Sequence, residues 1–203
     1  DRLNYYASAG DLNDGGTVEN SRYQRYTGRI NVDYQAKEWL KLTTNMGFTH
    51  VDTQNPSFDV DTWGSSGNVF YICNMIAPIY PLYERNADGT VKTENDRPVY
   101  TTNNGSFQGN AVRDNHFNQD KTYQDIFTGQ WTAVVTPVEG LNLTASLSAS
   151  SRNNRENQLL STFGSGAGED DGIAYVQAYR YFTVNQQYLA TYSKSFGKHN
   201  ASL

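Results

Sequence analysis

Leu141-Asn142-Leu143-Thr144-Ala145-Ser146-Leu147-Ser148-Ala149-Ser150 is the stretch that decides the fold. Successive side chains of an extended strand point to opposite sides. Leu141, Leu143, Ala145, Leu147 and Ala149 therefore share one face, and Asn142, Thr144, Ser146, Ser148 and Ser150 share the other. A helix would scatter both sets around its circumference; strict alternation over ten residues reads as a strand with one apolar side.

The same period extends outward in both directions. Before it, Pro137-Val138-Glu139-Gly140 has turn chemistry, since proline presets φ and glycine accepts a positive one. Thr122 to Thr136 then alternates, with Phe127, Trp131, Ala133 and Val135 opposite Thr128, Gln130 and Thr132, and Val134 interrupts the polar side. Further back, Trp39 to Asp52 sets Leu40, Leu42, Met46 and Phe48 against Lys41, Thr43, Asn45 and Thr49. Arg22 to Gln35 sets Ile30, Val32 and Tyr34 against Arg29, Asn31 and Asp33, and Leu3 to Leu12 is the first candidate strand. On the far side, Ala174 to Ser195 carries Tyr188, Ala190 and Tyr192 in phase, with Phe196 following them. No amphipathic helix of ten or more residues is recognised.

Connections alternate between short (36–38, 137–140, 197–199) and long (13–21, 53–121, 153–173), the longest having 69 residues. In an up-and-down meander alternate turns lie at the same end, so the short ones gather at one end and the long ones at the other. Membrane barrels have that layout, and several of the strands are longer than the ~5–6 residues usual in globular proteins. The expected fold is an all-β, antiparallel up-and-down transmembrane barrel segment of about six strands plus the start of a seventh. The residues 53–121 form its long extracellular loop region, and the short turns are periplasmic. A soluble β-rich glycan-binding or adhesin module is the alternative. It predicts that these 203 residues alone form a soluble, cooperatively folding monomer, and packing of the Leu141–Ala149 apolar face against another sheet of the chain would overturn the barrel.

Composition agrees without deciding. The 203 residues carry a formal charge of −5, 18% charged and 13% aromatic residues, 15 of them Tyr. Such acidity without a basic block excludes nucleic acid as a partner. A mean hydropathy of −0.70 excludes a bundle of membrane helices but not a barrel, whose strands meet lipid only every second residue. One Cys, Cys73, excludes an intrachain disulfide framework. The first residues lack signal-peptide features, and Asn200-Ala201-Ser202-Leu203 reads as a strand just beginning. Because seven strands do not close a bacterial barrel, a piece of a larger protein is expected, without a plug domain and the remaining strands.

Particular residues then resemble a known family. Tyr5-Tyr6-Ala7-Ser8, Tyr26-Thr27-Gly28-Arg29-Ile30-Asn31-Val32-Asp33-Tyr34 and Trp39-Leu40-Lys41-Leu42 resemble consecutive barrel strands of SusC/RagA TonB-dependent transporters of Bacteroidota. So do Pro78-Ile79-Tyr80-Pro81-Leu82-Tyr83 with Asp88-Gly89, Gly140-Leu141 after Pro137, and Tyr192-Ser193-Lys194-Ser195-Phe196-Gly197-Lys198-His199-Asn200. The resemblance implies a barrel of about 22 strands around an N-terminal plug. It also implies a SusD-like surface lipoprotein as lid and uptake of oligosaccharides, or in some members peptides. The TonB complex would supply the energy through N-terminal parts, and outer-membrane lipid would surround the barrel.

Candidate residues follow from position and chemistry. In the long loop, Trp63, Phe70, Tyr71, Tyr80 and Tyr83 offer aromatic faces for sugar rings, and Asn68, Asn103 and Asn104 offer amides for hydroxyls. The plainer reading is that these aromatics form the loop's own core. Arg25, Arg29 and Asp33 are expected to face the lumen, and Tyr34, Trp39, Trp131, Tyr192 and Phe196 to be interfacial. No enzyme is expected: His50, His116 and His199 are scattered, and no nucleophile elbow is present. Gly164-Ser165-Gly166-Ala167-Gly168 lacks the Lys-Ser/Thr of a phosphate loop. No cofactor or metal is expected. Glu169-Asp170-Asp171 and the Asp59–Asp61 pair would offer oxygens to Ca²⁺, a solvated acidic loop being the simpler reading.

Overall fold

A computed structural model describes residues 2–56, 73–74, 76–101, 103–104, 107–108, 110–163, 172–196 and 199–202. Three strands come first, β1 (Leu3–Gly15), β2 (Arg22–Lys37) and β3 (Leu40–Asn55). Four two-residue strands follow: β4 (Thr93–Glu94), β5 (Arg97–Pro98), β6 (Asn103–Asn104) and β7 (Phe107–Gln108). A short helix α1 (Ala111–Phe117) precedes β8 (Gln119–Val138), β9 (Leu141–Leu160), β10 (Ile173–Phe196) and β11 (His199–Ser202).

The long strands form one antiparallel sheet in the order β1-β2-β3-β8-β9-β10-β11. This is the expected meander. Two-residue connections (38–39, 139–140, 197–198) link neighbours at one end. The other end carries 16–21, 56–118 and 161–172. The strands outrun their expected lengths, growing from 13 residues in β1 to 24 in β10. Most of the added length lies at the long-loop end, where polar side chains predominate on both faces. There the backbone ladder continues although the alternation of hydrophobicity has stopped.

Register gives each face a distinct chemistry. Leu3, Tyr34, Leu42, Ala133, Ala145 and Tyr188 form one continuous cross-strand row. Parallel to it on the same face run Ala7, Ile30, Met46, Gly129, Ala149 and Val184, and then Ala9, Gly28, Phe48, Phe127, Ser151 and Phe182. The next row is Asp11, Tyr26, His50, Asp125, Asn153 and Arg180, where the apolar band ends. Across the sheet, Tyr6, Asn31, Asn45, Gln130, Ser148 and Asn185 are one row of the opposite face.

Among the described residues no second layer covers the apolar band. Tyr5 is 78% and Tyr188 75% exposed, and Leu143 and Leu147 are exposed as well. Among the described residues the only buried hydrophobic side chain is Ala111, packed by Ile76 in the loop region. A water-soluble sheet buries one face against another layer, because burying apolar area is its main source of stability. The described residues supply no such layer.

The short connections are also staggered. Leu40 lies level with Val135, Leu143 and Ala190, whereas the last connection is closed by Phe196 and His199, six residues further along β10. Six residues cover ~20 Å at ~3.4 Å each, and the four strand spacings between those connections cover ~19 Å. The line through the short connections therefore runs about 45° from the hydrogen-bonding direction.

Candidate functional surfaces

Two regions carry chemistry beyond the ladder: the polar face of the sheet and the folded loops above its long-loop end. On the polar face, small hydroxyl and amide side chains bond across strands. Gln124 Nε2 donates to Asn154 Oδ1 at 2.7 Å, and the Thr132 and Ser146 hydroxyls lie 3.1 Å apart. Register places Arg25, Arg29 and Asp33 on this face, as their positions in the alternation require. Asp33 accepts a hydrogen bond from Thr43 Oγ1 at 2.6 Å and lies 3.9 Å from Lys41 Nζ. Arg29 borders a shallow depression of about 420 Å³ with Asn45, Gln130, Ser148 and Asn185. It is an uncharged hydrogen-bonding floor with one cation at its edge.

Of the aromatic set assigned to an interface, Tyr34 and Tyr192 lie on the apolar face toward the short connections, and Trp39 sits within one of them. Trp131 is level with Tyr5, Val32, Thr44 and Leu147, inside the band. Its ring covers Gly129, where an added Cβ would meet it at 2.5 Å. Phe196 closes β10 opposite His199.

The loop region folds around helix α1. Asn110 caps it, its side-chain oxygen accepting from Arg113 N at 3.2 Å. Its Nδ2 donates to the carbonyls of Leu82 (2.9 Å) and Thr101 (3.1 Å), tying the cap to two loop segments. Asp114 is 0% exposed and takes a two-pronged contact from Arg113, with Nε at 2.9 Å and the second guanidinium nitrogen at 2.8 Å from Oδ1. Asn115 Nδ2 donates to Glu19 O at 2.6 Å, and Asn20 donates to the Asn115 carbonyl, so the β1–β2 loop is bound to the helix. Asn118 Oδ1 accepts from Ser161 N at 2.8 Å, which binds the β9–β10 connection. Buried amides thus do here what apolar side chains do in an ordinary core.

Aromatic rings cover this polar centre. Tyr83 and Tyr100 have ring centroids 5.0 Å apart, Tyr100 and Phe117 6.1 Å, and Phe117 and Phe163 5.6 Å. Arg97, Tyr100, Arg113, His116, Phe117 and Phe163 border an open groove of about 840 Å³. Burial, and then the neighbouring Tyr83, push the Tyr100 hydroxyl above its ordinary pKa. Asp120, at the loop end of β8 and seven residues beyond Phe127, is nearly buried with one oxygen unpartnered. Burial, then the Glu156 charge, raises its carboxyl, while an Asn55 hydrogen bond pulls the other way.

The loop candidates fare unevenly. Tyr83 joins the aromatic chain, and Tyr80 is half-buried in a turn whose backbone NH donates to Ala77 O. Asn103 and Asn104 form β6, paired with β7. Trp63, Asn68, Phe70 and Tyr71 lie outside the described residues, as do Asp59, Asp61, Glu169, Asp170 and Asp171. Tyr100, Phe117, Phe163 and the His116–Glu19 contact (3.1 Å) were not singled out by sequence. Asn110 immediately before an Ala-Val-Arg-Asp run is the one local signal, an N-cap residue ahead of a helix too short for periodicity. Among the described residues no group of three His, Cys, Asp or Glu side chains assembles to hold a metal ion.

Comparison with known proteins bears on what such a sheet belongs to. No family model matches the chain. Its whole length aligns with TonB-dependent receptor P3 of Formosa agariphila, at 28% identity and over 19% of that protein. TonB-dependent receptor P26 of the same organism is 26% identical across 80% of this chain and 14% of its own length. The chain therefore spans a fifth or less of these relatives. Among solved structures, the RagAB peptide importer in its closed-closed state superposes over 100% of this chain and 22% of its own, with a TM-score of 0.70 and 20% identity. The open-open state gives 0.68 over 98% and 21%. The resemblance to SusC/RagA-type barrel strands holds along the chain, and the sheet has the fold of a stretch of such a barrel.

Proposed function

We propose that this chain is a stretch of barrel wall, with its outer loops, of an outer-membrane TonB-dependent importer. One observation carries the reading: a single-layer sheet bears an uncovered apolar band on one face and an amide- and hydroxyl-rich surface on the other. Such a sheet suits a wall between lipid and a watery lumen. The ~45° stagger of the short connections adds support, since barrel strands tilt by about 35–45°. At that tilt, the eight steps from Leu40 to Phe48 rise ~19 Å at ~3.4 Å each, and side-chain breadth brings the band close to the ~25 Å apolar belt of known barrels. Similarity to two TonB-dependent receptors favours this reading over a soluble module.

In this reading Arg25, Arg29 and Asp33 face the lumen. Tyr34, Trp39, Tyr192 and Phe196 mark the periplasmic membrane edge, and the long loops are extracellular. The chain transports and does not catalyse. Coupling to TonB belongs to parts of the relatives that this stretch does not match. The substrate class we assign is oligosaccharide, received with a SusD-like lipoprotein. Its support is the family resemblance, the aromatic faces of Tyr83 and Tyr100, and the amide floor beside Arg29. A peptide substrate is the second reading, favoured by likeness to a peptide importer.

Uptake by cells deleted for the full-length gene tests both. Loss of oligosaccharide uptake, restored by the gene, supports the first reading; loss of peptide uptake alone transfers the assignment to the second. Cysteines at Leu147 and Ser148 in the full-length protein test the wall itself. A water-soluble maleimide should label Ser148→Cys and spare Leu147→Cys, and the reverse pattern would refute it.

A further inference from the structure

Beyond the apolar band, the outward face carries cations on three successive strands: Lys121 on β8, Arg155 on β9 and Arg180 on β10. Lys121 is opposite Asn157, and Arg155 lies two residues from Asn157 toward the short connections. Arg155 is opposite Ala178, and Arg180 lies two residues from Ala178 in the same direction. Diagonal neighbours of this kind stand about 8 Å apart. Four residues of descent over two strand spacings agree, within one residue, with the stagger of the short connections. In a membrane the three cations are therefore level with one another.

Their surroundings make the alignment informative. On β8, β9 and β10 the groups interleaved with them on this face are Asn153, Asn157, Tyr123, Val176 and Ala178, all uncharged, and Asp52 on β3, opposite Tyr123, is the acidic neighbour on the Lys121 side. Asp125, opposite Asn153, is engaged by His50 Nδ1 at 2.7 Å. Arg155 Nε donates to the neutral Asn157 Oδ1, at 3.2 Å. Arg155 and Arg180 are exposed and Lys121 half-exposed. Arg180 comes two residues after Phe182 in the outward direction, and Arg155 six after Ala149. At the inferred tilt these steps place the cations about 5–14 Å beyond the apolar residues. That is the depth of a headgroup layer plus the reach of a long basic side chain.

Resting on the membrane reading above, we propose that Lys121, Arg155 and Arg180 form a docking strip for phosphate groups of outer-leaflet lipids. The occupant is a phosphorylated lipid, because the strip continues directly from the band that meets acyl chains. Three cations, none of them in an ion pair among the described residues, match multiply charged phosphates, and guanidinium groups bind them in a two-pronged fashion. The strip would fix the rotational setting of the barrel wall against its lipid shell and hold the tall β9–β10 extension upright.

The test uses the full-length protein in lipid nanodiscs, with diphosphorylated lipid A and its dephosphorylated form as probes, read by native mass spectrometry. Wild type should retain the phosphorylated form at least about tenfold over the dephosphorylated one. The Lys121→Gln/Arg155→Gln/Arg180→Gln variant should lose most of that preference. Arg155→Lys/Arg180→Lys should keep it, and Arg152→Gln, on the opposite face of β9, should leave it unchanged. A preference that survives the triple variant, or that falls equally with Arg152→Gln, overturns the strip while leaving the barrel wall standing. Displacement of the lipid by millimolar inorganic phosphate would also overturn it as a lipid site. Failure of the wild type to enter nanodiscs would overturn both.

Discussion

An arginine moved step by step along β9 would separate the two faces energetically. Leu141, Leu143, Ala145, Leu147 and Ala149 share the apolar face, the outward one in the proposed wall, and Ala145 is the midpoint of that series. An Arg on the lipid face at the bilayer centre costs about 2–4 kcal/mol, falling to ~0–1 near the interfaces. Leu141 lies four residues from Ala145, about 10 Å along the membrane normal at a ~45° tilt. Ala145→Arg should therefore lower the folded population roughly 30- to 700-fold, Leu141→Arg much less, and Ser146→Arg, on the polar face, hardly at all. Denaturant titration of the full-length barrel in lipid vesicles, followed by its heat-modifiable gel mobility, measures the series. The decisive feature is the sawtooth between 145 and 146, since one residue of displacement reverses the exposed face. Equal costs at the two positions, or a harmless Ala145→Arg, would refute the assignment of faces on which the functional reading depends.

Three further outcomes follow from local geometry. Gly140 closes the β8–β9 connection at φ +85°, and an added Cβ would sit 2.1 Å from Ser193 O, so Gly140→Ala should cost more than about 2 kcal/mol. Gly89→Ala, at the same φ but in open space, should cost only about 1; similar midpoint shifts for both in thermal melts would contradict the steric account. Asn110→Ala removes a helix cap and the amide donor to the Leu82 and Thr101 carbonyls, of which Leu82 keeps the Thr101 N–H, a local loss of about 1–3 kcal/mol. Hydrogen exchange should accelerate across residues 76–118 while the sheet stays protected. Asp120 has a folded pKa above its ordinary 3.8 and so disfavours the fold when ionised. Its favourable contribution is fully present below ~4 and is lost as pH rises through the raised value. Asp120→Asn should thus slow opening of the loop region at pH 7, with the advantage vanishing below pH ~4; an advantage independent of pH would exclude the carboxylate as its source.

What the sequence reveals depends on which solvent each side chain meets. From Leu141 to Ala149, lipid on one side and water on the other would impose a period of two, and the pairing reproduces that alternation strand after strand. From Asn153 to Gln158 on β9 and before Thr122 on β8 both faces are polar, so the ladder runs on toward Leu160 and back to Gln119 without an alternating hydrophobic signal. Helix α1 escapes notice for a related reason: its buried positions include Asp114 and Asn115, whose hydrogen-bonded burial leaves no apolar stripe. The aromatic chain from Tyr83 to Phe163 joins residues eighty apart, and only the folded loop brings them together. Stagger is less local still. No single strand encodes that Phe196 ends six residues beyond the level of Leu40, yet that offset sets the tilt, and the tilt makes Lys121, Arg155 and Arg180 level. Where a barrel wall meets its lipid is therefore written in the pairing between strands, one level above the alternation that identifies the wall.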